Sequence, residues 1–226
     1  MARVVAISRQ FGSGGAWVGR AVAQRLGFQY ADREILSEAA RLLNVETDDV
    51  EPLEERVRGF WERLGAMFAH GAVDAPFIPP VLPSVSESQL FAVERQIVET
   101  IAAHGDAVIV GRGAAHILSD RADVIRVFLH APLPARIALA MKEYGFTDRE
   151  TAANVVRVSD TQRARFARSL TGHDWCDALL YDVALNTETI GLDRTVDLLI
   201  DMVQRRPPAA PLPALTPRTT EDRDAR

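Results

Sequence analysis

Val4-Val5-Ala6-Ile7-Ser8-Arg9-Gln10-Phe11-Gly12-Ser13-Gly14-Gly15-Ala16 is a short apolar strand running into a glycine-rich turn, and a helical pattern follows at once. That order is the architecture of a phosphate-binding loop. The backbone must curl until several N–H groups converge on one anion, which glycine permits, and the helix behind it adds the positive end of its dipole. Gly12-Ser13-Gly14-Gly15 alone would equally suit a flexible turn. The flanks decide, because residues 4–7 form the apolar run of a buried parallel strand. Beyond the turn, Val18, Val22 and Leu26 recur every four residues with Arg20, Gln24 and Arg25 between them, and Gly27 stops the helix. One departure stands out. The pattern G-x-x-x-x-G-K-[ST] places lysine at position 15 and a hydroxyl next to it, whereas this chain has Gly15, Ala16 and Trp17.

The whole chain is compatible with one substantial core: 226 residues, 47% hydrophobic and 25% charged. A net charge of −5 argues against a general nucleic-acid binder while permitting local basic sites. The single cysteine, Cys176, excludes an intramolecular disulfide and a cysteine-cluster metal site. His70, His104, His116, His130 and His173 show no pair at metal-ligand spacing. With no signal-like start and no apolar run near the roughly 18 residues of a membrane helix, the expected location is the cytoplasm, without a membrane partner.

Apolar runs at residues 4–7, 107–110, 124–129 and 183–185, with a short one near 28–30, alternate with helical patterns. This is the signature of an α/β fold in which a parallel sheet is flanked by helices. Ser86-Glu87-Ser88-Gln89 is a capping-box start, and Leu90, Val93, Ile97 and Ile101 mark a long helix ending at Gly105. Residues 36–85 leave the sheet pattern: helical at first, then irregular through Pro76, Pro79, Pro80 and Pro83. They form a substrate-side excursion whose aromatic residues serve core or a subunit contact, which leaves a homodimer open. Residues 207–226 carry five prolines and little that could form a core, which predicts a disordered tail after a domain at 1–206.

Two further places carry chemistry. Ile109-Val110-Gly111-Arg112-Gly113 ends an apolar strand in a glycine-flanked arginine, and ligands of open parallel sheets sit beyond the carboxyl ends of the strands. Arg112 therefore suits a phosphate, or else is a salt-bridged loop residue. A helix beginning at the capping box Thr147-Asp148-Arg149-Glu150 carries Arg157, Asp160 and Arg163 at three-residue spacing. Such a face is either solvated ion pairs or charge for phosphoryl transfer.

Taken together, Ile7-Ser8-Arg9, Phe11-Gly12-Ser13-Gly14-Gly15, Leu26-Gly27-Phe28-Gln29-Tyr30-Ala31-Asp32, Gly111-Arg112-Gly113, Arg126-Val127-Phe128-Leu129, Asp160-Thr161-Gln162-Arg163 and the residues 182–187 resemble the cytidylate kinase-like family. The resemblance runs from about residue 3 to 203 and rests on the order of the motifs. It implies a three-layer P-loop NTPase-type fold of the nucleoside monophosphate kinases, with a monophosphate-binding excursion and a helical lid at 145–177. It also implies ATP- and Mg2+-dependent phosphoryl transfer to a nucleoside monophosphate, CMP or dCMP. By the same resemblance Gly12, Ser13, Gly14, Gly15 and Ala16 hold the donor phosphates, Asp32 and Arg112 the monophosphate, and Asp160 and Arg163, with Arg157 one residue out of register, act from the lid. Gly113 departs from the family's aspartate. Because Gly15 removes the lysine, Arg9 is the candidate for a guanidinium folded over the phosphates, and Ser8 or Ser13 for a hydroxyl on the metal. Two alternatives stand beside this reading: a nucleotide-binding regulator without turnover, and a kinase of a different small-molecule acceptor.

Overall fold

Alternation along one strand builds the core on both faces of the sheet. In β1 (Val4–Arg9), Val4 and Ala6 belong to one apolar cluster while Val5 and Ile7 belong to another, and all four are at most 1% exposed. The computed structural model describes residues 3–32 and 87–205. After β1 come α1 (Gly15–Leu26), β2 (Gln29–Asp32), α2 (Glu87–His104), β3 (Ala107–Val110), the single turn α3 (Ala114–Ile117) and β4 (Val124–His130). Then follow α4 (Leu133–Tyr144), α5 (Arg149–Thr171), a 3-10 turn at Ala178–Leu180, β5 (Val183–Asn186), the short α6 (Thr187–Ile190) and α7 (Leu192–Arg205).

The five strands are all parallel, in the order β2-β3-β1-β4-β5. β1 is thus the central strand, paired on one side with β3 (Ile7 opposite Val110) and on the other with β4 (Arg9 opposite Leu129). Helices cover both faces, giving three layers. On one, Val18 and Val22 of α1 and Val196, Leu199 and Val203 of α7 pack on Val5, Ile7, Val108 and Val127. On the other, Ile97, Val98 and Ile101 of α2 pack on Val4, Ala6 and Ile109, joined by Ala167, Trp175 and Tyr181. A third cluster holds α4 against α5 through Ile137, Ala140, Ala152 and Val156, with Phe11 packed on it.

The five expected strands are present, each at or within one or two residues of the sequence reading. The helix expected after the glycine turn also forms, over Gly15–Leu26, and is closed as expected by Gly27, in the left-handed region (φ 69°). α5 starts one residue later than its expected capping box: Asp148, not Thr147, is the cap, and its carboxylate accepts the Thr151 N–H at 2.6 Å. The excursion expected at 36–85 and the tail expected at 207–226 lie outside the described residues. Among the described residues no helix is long and apolar enough to cross a membrane.

Candidate active site

The turn between β1 and α1 can close only with glycine at two of its positions. Gly12 (φ 77°) and Gly14 (φ 76°) are left-handed, a region that costs an L-residue about 1–2 kcal/mol. Space is short as well: a Cβ on Gly12 would meet the carbonyl oxygen of Arg136, and one on Gly14 would lie 2.5 Å from Leu192 Cδ2. Gly14 is the N-cap of α1 and contributes no side-chain cap, so the N–H groups of the first turn, at Gly15, Ala16 and Trp17, have no intrahelical partner. The geometry fits a phosphate by backbone donors and helix dipole.

The Ser13 hydroxyl is buried and donates to the carbonyls of Gln10 (2.9 Å) and Leu129 (3.2 Å), so it closes the turn and faces inward. Ser8 instead lines the cleft beside the loop. With Ala16 and Trp17 on the first turn and Ser13 turned inward, the loop offers no metal-binding hydroxyl of the usual kind. Among the described residues no group of three or more His, Cys, Asp or Glu is placed to hold a metal ion. The described loop residues fit a polyphosphate, and of the two hydroxyls expected at the metal Ser8 faces the cleft while Ser13 does not.

The cleft, open to solvent, lies beyond the carboxyl ends of β1 and β3 under the second half of α5. Arg9, Arg112 and Arg163 line it, with His116, Phe166 and Trp175 among its walls. Arg163 Nη1 donates to the Arg9 carbonyl at 2.8 Å, and its guanidinium lies 5.5 Å from the Phe11 ring centroid. Arg112 occupies the left-handed region (φ 50°) between two left-handed glycines and donates through Nε at 2.6 Å, and through Nη2, to Glu94. Glu94 is fully buried, and Phe166 lies 5.0 Å over the guanidinium. Arg112 is therefore both a cleft residue and a salt-bridged one.

His116 stands edge-on to Tyr181, whose hydroxyl donates to the Trp175 carbonyl at 2.7 Å. Burial, then His173 and Arg126, hold the His116 imidazole below its usual range, so it is neutral at pH 7. Trp175 is 8% exposed and packs edge-on against Phe128, a core position that also borders the cleft.

Other expected site residues fall elsewhere. Asp32 ends β2 opposite Val110, accepts the Tyr30 hydroxyl at 3.0 Å and lies 3.7 Å from Arg20. Asp160 is behind the loop: it accepts the Phe11 N–H at 2.9 Å and pairs with Arg136 at 2.5 Å. Arg157 is on the exposed face of α5, away from the residues that line the cleft. Residues 9, 112 and 163 thus converge, the loop adjoins them, and 32, 157 and 160 do not enter the cleft lining.

Three residues not singled out in the sequence shape the site. Arg136 donates to the carbonyls of Ala131 (2.9 Å) and Phe11 (3.1 Å) as well as to Asp160. Phe11 inserts its ring beside Tyr144, centroids 5.0 Å apart, while both its backbone groups are held. Glu94 had a signal: it falls at helical spacing among Leu90, Ile97 and Ile101, an acid inside the apolar stripe. Arg136 had none, because one arginine after a Pro-Leu-Pro start reads as surface.

The model of the cytidylate kinase-like family matches residues 4–189. A cytidylate kinase from Desulfurococcus amylolyticus is 29% identical over 114 residues, which are 50% of this chain and 60% of that protein, so the match spans less than two thirds of the relative. The crystal structure of an uncharacterized protein from Eubacterium ventriosum superposes with a TM-score of 0.66 at 21% identity, covering 90% of this chain and 99% of the other. That likeness establishes the shared fold.

Proposed function

Since the chain belongs to the cytidylate kinase-like family, we propose that it transfers the terminal phosphoryl group of ATP to a nucleoside monophosphate, CMP or dCMP. The observation that carries this reading is the glycine turn at the head of α1 opening beside a cleft lined by three arginines in a chain of net charge −5. Neutralised phosphate oxygens and alignment are what this reaction chiefly needs from a protein.

ATP would supply the activated phosphoryl group when bound. The amides of residues 15–17 hold anionic oxygens, and Arg9 and Arg163 place charge at the mouth of the turn. Arg112, fixed by Glu94 and Phe166, presents its remaining N–H groups to the acceptor phosphate, and Asp32 orients the acceptor from the neighbouring strand end. Residues 145–177 act as the lid, since the second half of α5 already roofs the cleft. Mg2+ would neutralise phosphate charge when bound, with Ser8 of the cleft lining as its candidate hydroxyl, since the Ser13 hydroxyl is turned inward.

The test is ADP formation with ATP, Mg2+ and each of several monophosphates. Signal confined to CMP or dCMP supports the proposal. Signal only with a non-nucleotide acceptor replaces the acceptor. Silence with nucleotide binding intact establishes the second reading, a binding protein without turnover, which the missing lysine favours.

A further inference from the structure

We propose that Arg9 delivers from the end of β1 the charge that the loop pattern places on the first turn of α1, that Gly15 is a glycine because the Arg9 side chain crosses it, and that the same side chain closes the space over Gly111, whose left-handed backbone already favours glycine. The inference rests on the phosphoryl-transfer reading above.

A Cβ on Gly15 would lie 2.6 Å from Arg9 Cγ and 2.8 Å from Arg9 Cβ, well inside van der Waals contact. The stem of Arg9 therefore fills the space in which a lysine at position 15 would begin. At the far end, a Cβ on Gly111 would land on Arg9 Nη1. The side chain thus runs from the first turn of α1 to the turn after β3, with its guanidinium in the cleft that Arg112 and Arg163 also line. Its backbone is held too, since the Arg9 carbonyl accepts from Arg163.

A lysine rising from α1 and an arginine arriving from β1 approach the same place from opposite sides, and only one stem fits. The unusual loop is then one exchange: the cation moved six residues toward the amino terminus and the old position emptied. Guanidinium keeps its charge at any working pH and offers several donors to phosphate oxygens.

Two arms test this. Arg9→Gln keeps most of the stem and removes the charge. Tripolyphosphate binding by calorimetric titration should weaken about 10- to 100-fold, the worth of one or two charge-assisted contacts. Turnover should fall about 100- to 1,000-fold, with the acceptor KM little changed and partial recovery in Arg9→Lys. Unaltered tripolyphosphate affinity in Arg9→Gln overturns the proposal. The steric arm is Gly15→Ala, which should lower Tm in the native background and raise it in Arg9→Gly, because alanine is the better helix former once the space is clear. A change of the same sign in both backgrounds overturns the crossing. If the native protein forms no ADP with any acceptor, the kinase reading fails, while the titration and the Tm pair still decide on Arg9.

Discussion

The hydroxyl of Tyr30, donating to Asp32 at the end of β2, links a single residue to alkaline stability. Burial first, and then the Asp32 charge, push its pKa well above the usual 10.0, while Arg20 and Arg9 pull more weakly the other way. Below about pH 10 the phenol is neutral in both folded and unfolded chains, so it adds no pH dependence. Above that, the unfolded chain loses its proton first, and stability declines as pH rises. Tyr30→Phe should flatten this decline in Tm scans taken from about pH 8 to 11; an equal slope in the variant would place the alkaline loss elsewhere. At this scale the residue types were legible while their directions were not. Arg9, Arg112 and Arg163 were marked by motif and do meet in one cleft. The inward turn of the Ser13 hydroxyl and the retreat of Asp160 behind the loop depend on partners more than 20 positions away in the chain, Leu129 and Arg136, which no local pattern names.

At the scale of elements, the α4–α5 hairpin and the loop are one mechanical unit. Arg136 of α4 and Asp160 of α5 hold the carbonyl and N–H of Phe11 respectively, and the pair is mostly buried, at 8% and 20% side-chain exposure. Removing one partner of a buried pair typically costs about 3–5 kcal/mol, and the partial exposure of Asp160 points to the lower end. Arg136→Met should therefore lower Tm by several degrees and weaken ATP-dependent stabilisation. Ile137→Val, in the same apolar cluster, should cost about 0.5–1.5 kcal/mol without affecting nucleotide binding. Matching losses of ATP-dependent stabilisation in both variants would reduce the tie to ordinary packing. The strands were legible because short continuous apolar runs, flanked by glycine or by polar residues such as Asp123, Asp182 and Asn186, leave few other readings. α4 was not marked, although proline at its first positions and Gly145 closing it (φ 71°) are helix signals. Its first turn is dominated by proline and leucine, which resembles a continuing loop until the partner helix is known.

For the whole molecule, a ligand that binds only the folded chain adds about 2.7 kcal/mol at 100 times its dissociation constant. In a protein of this size that raises Tm by about 5–10 °C. ATP should produce such a shift, and its absence at saturating concentration would remove the donor site from the loop. Strand order was the part of the architecture that periodicity could not supply: alternation marks which residues are buried, and neighbours are chosen by how the crossovers return. That order makes β1 the innermost strand, hydrogen-bonded along both edges and sealed on both faces. Amide protons there should exchange with deuterated solvent last of all, whereas β5, on the sheet's rim, should exchange early. The anion grip is thus suspended from the most durable part of the molecule, so a partly opened chain that has already shed its rim can still present an intact phosphate seat.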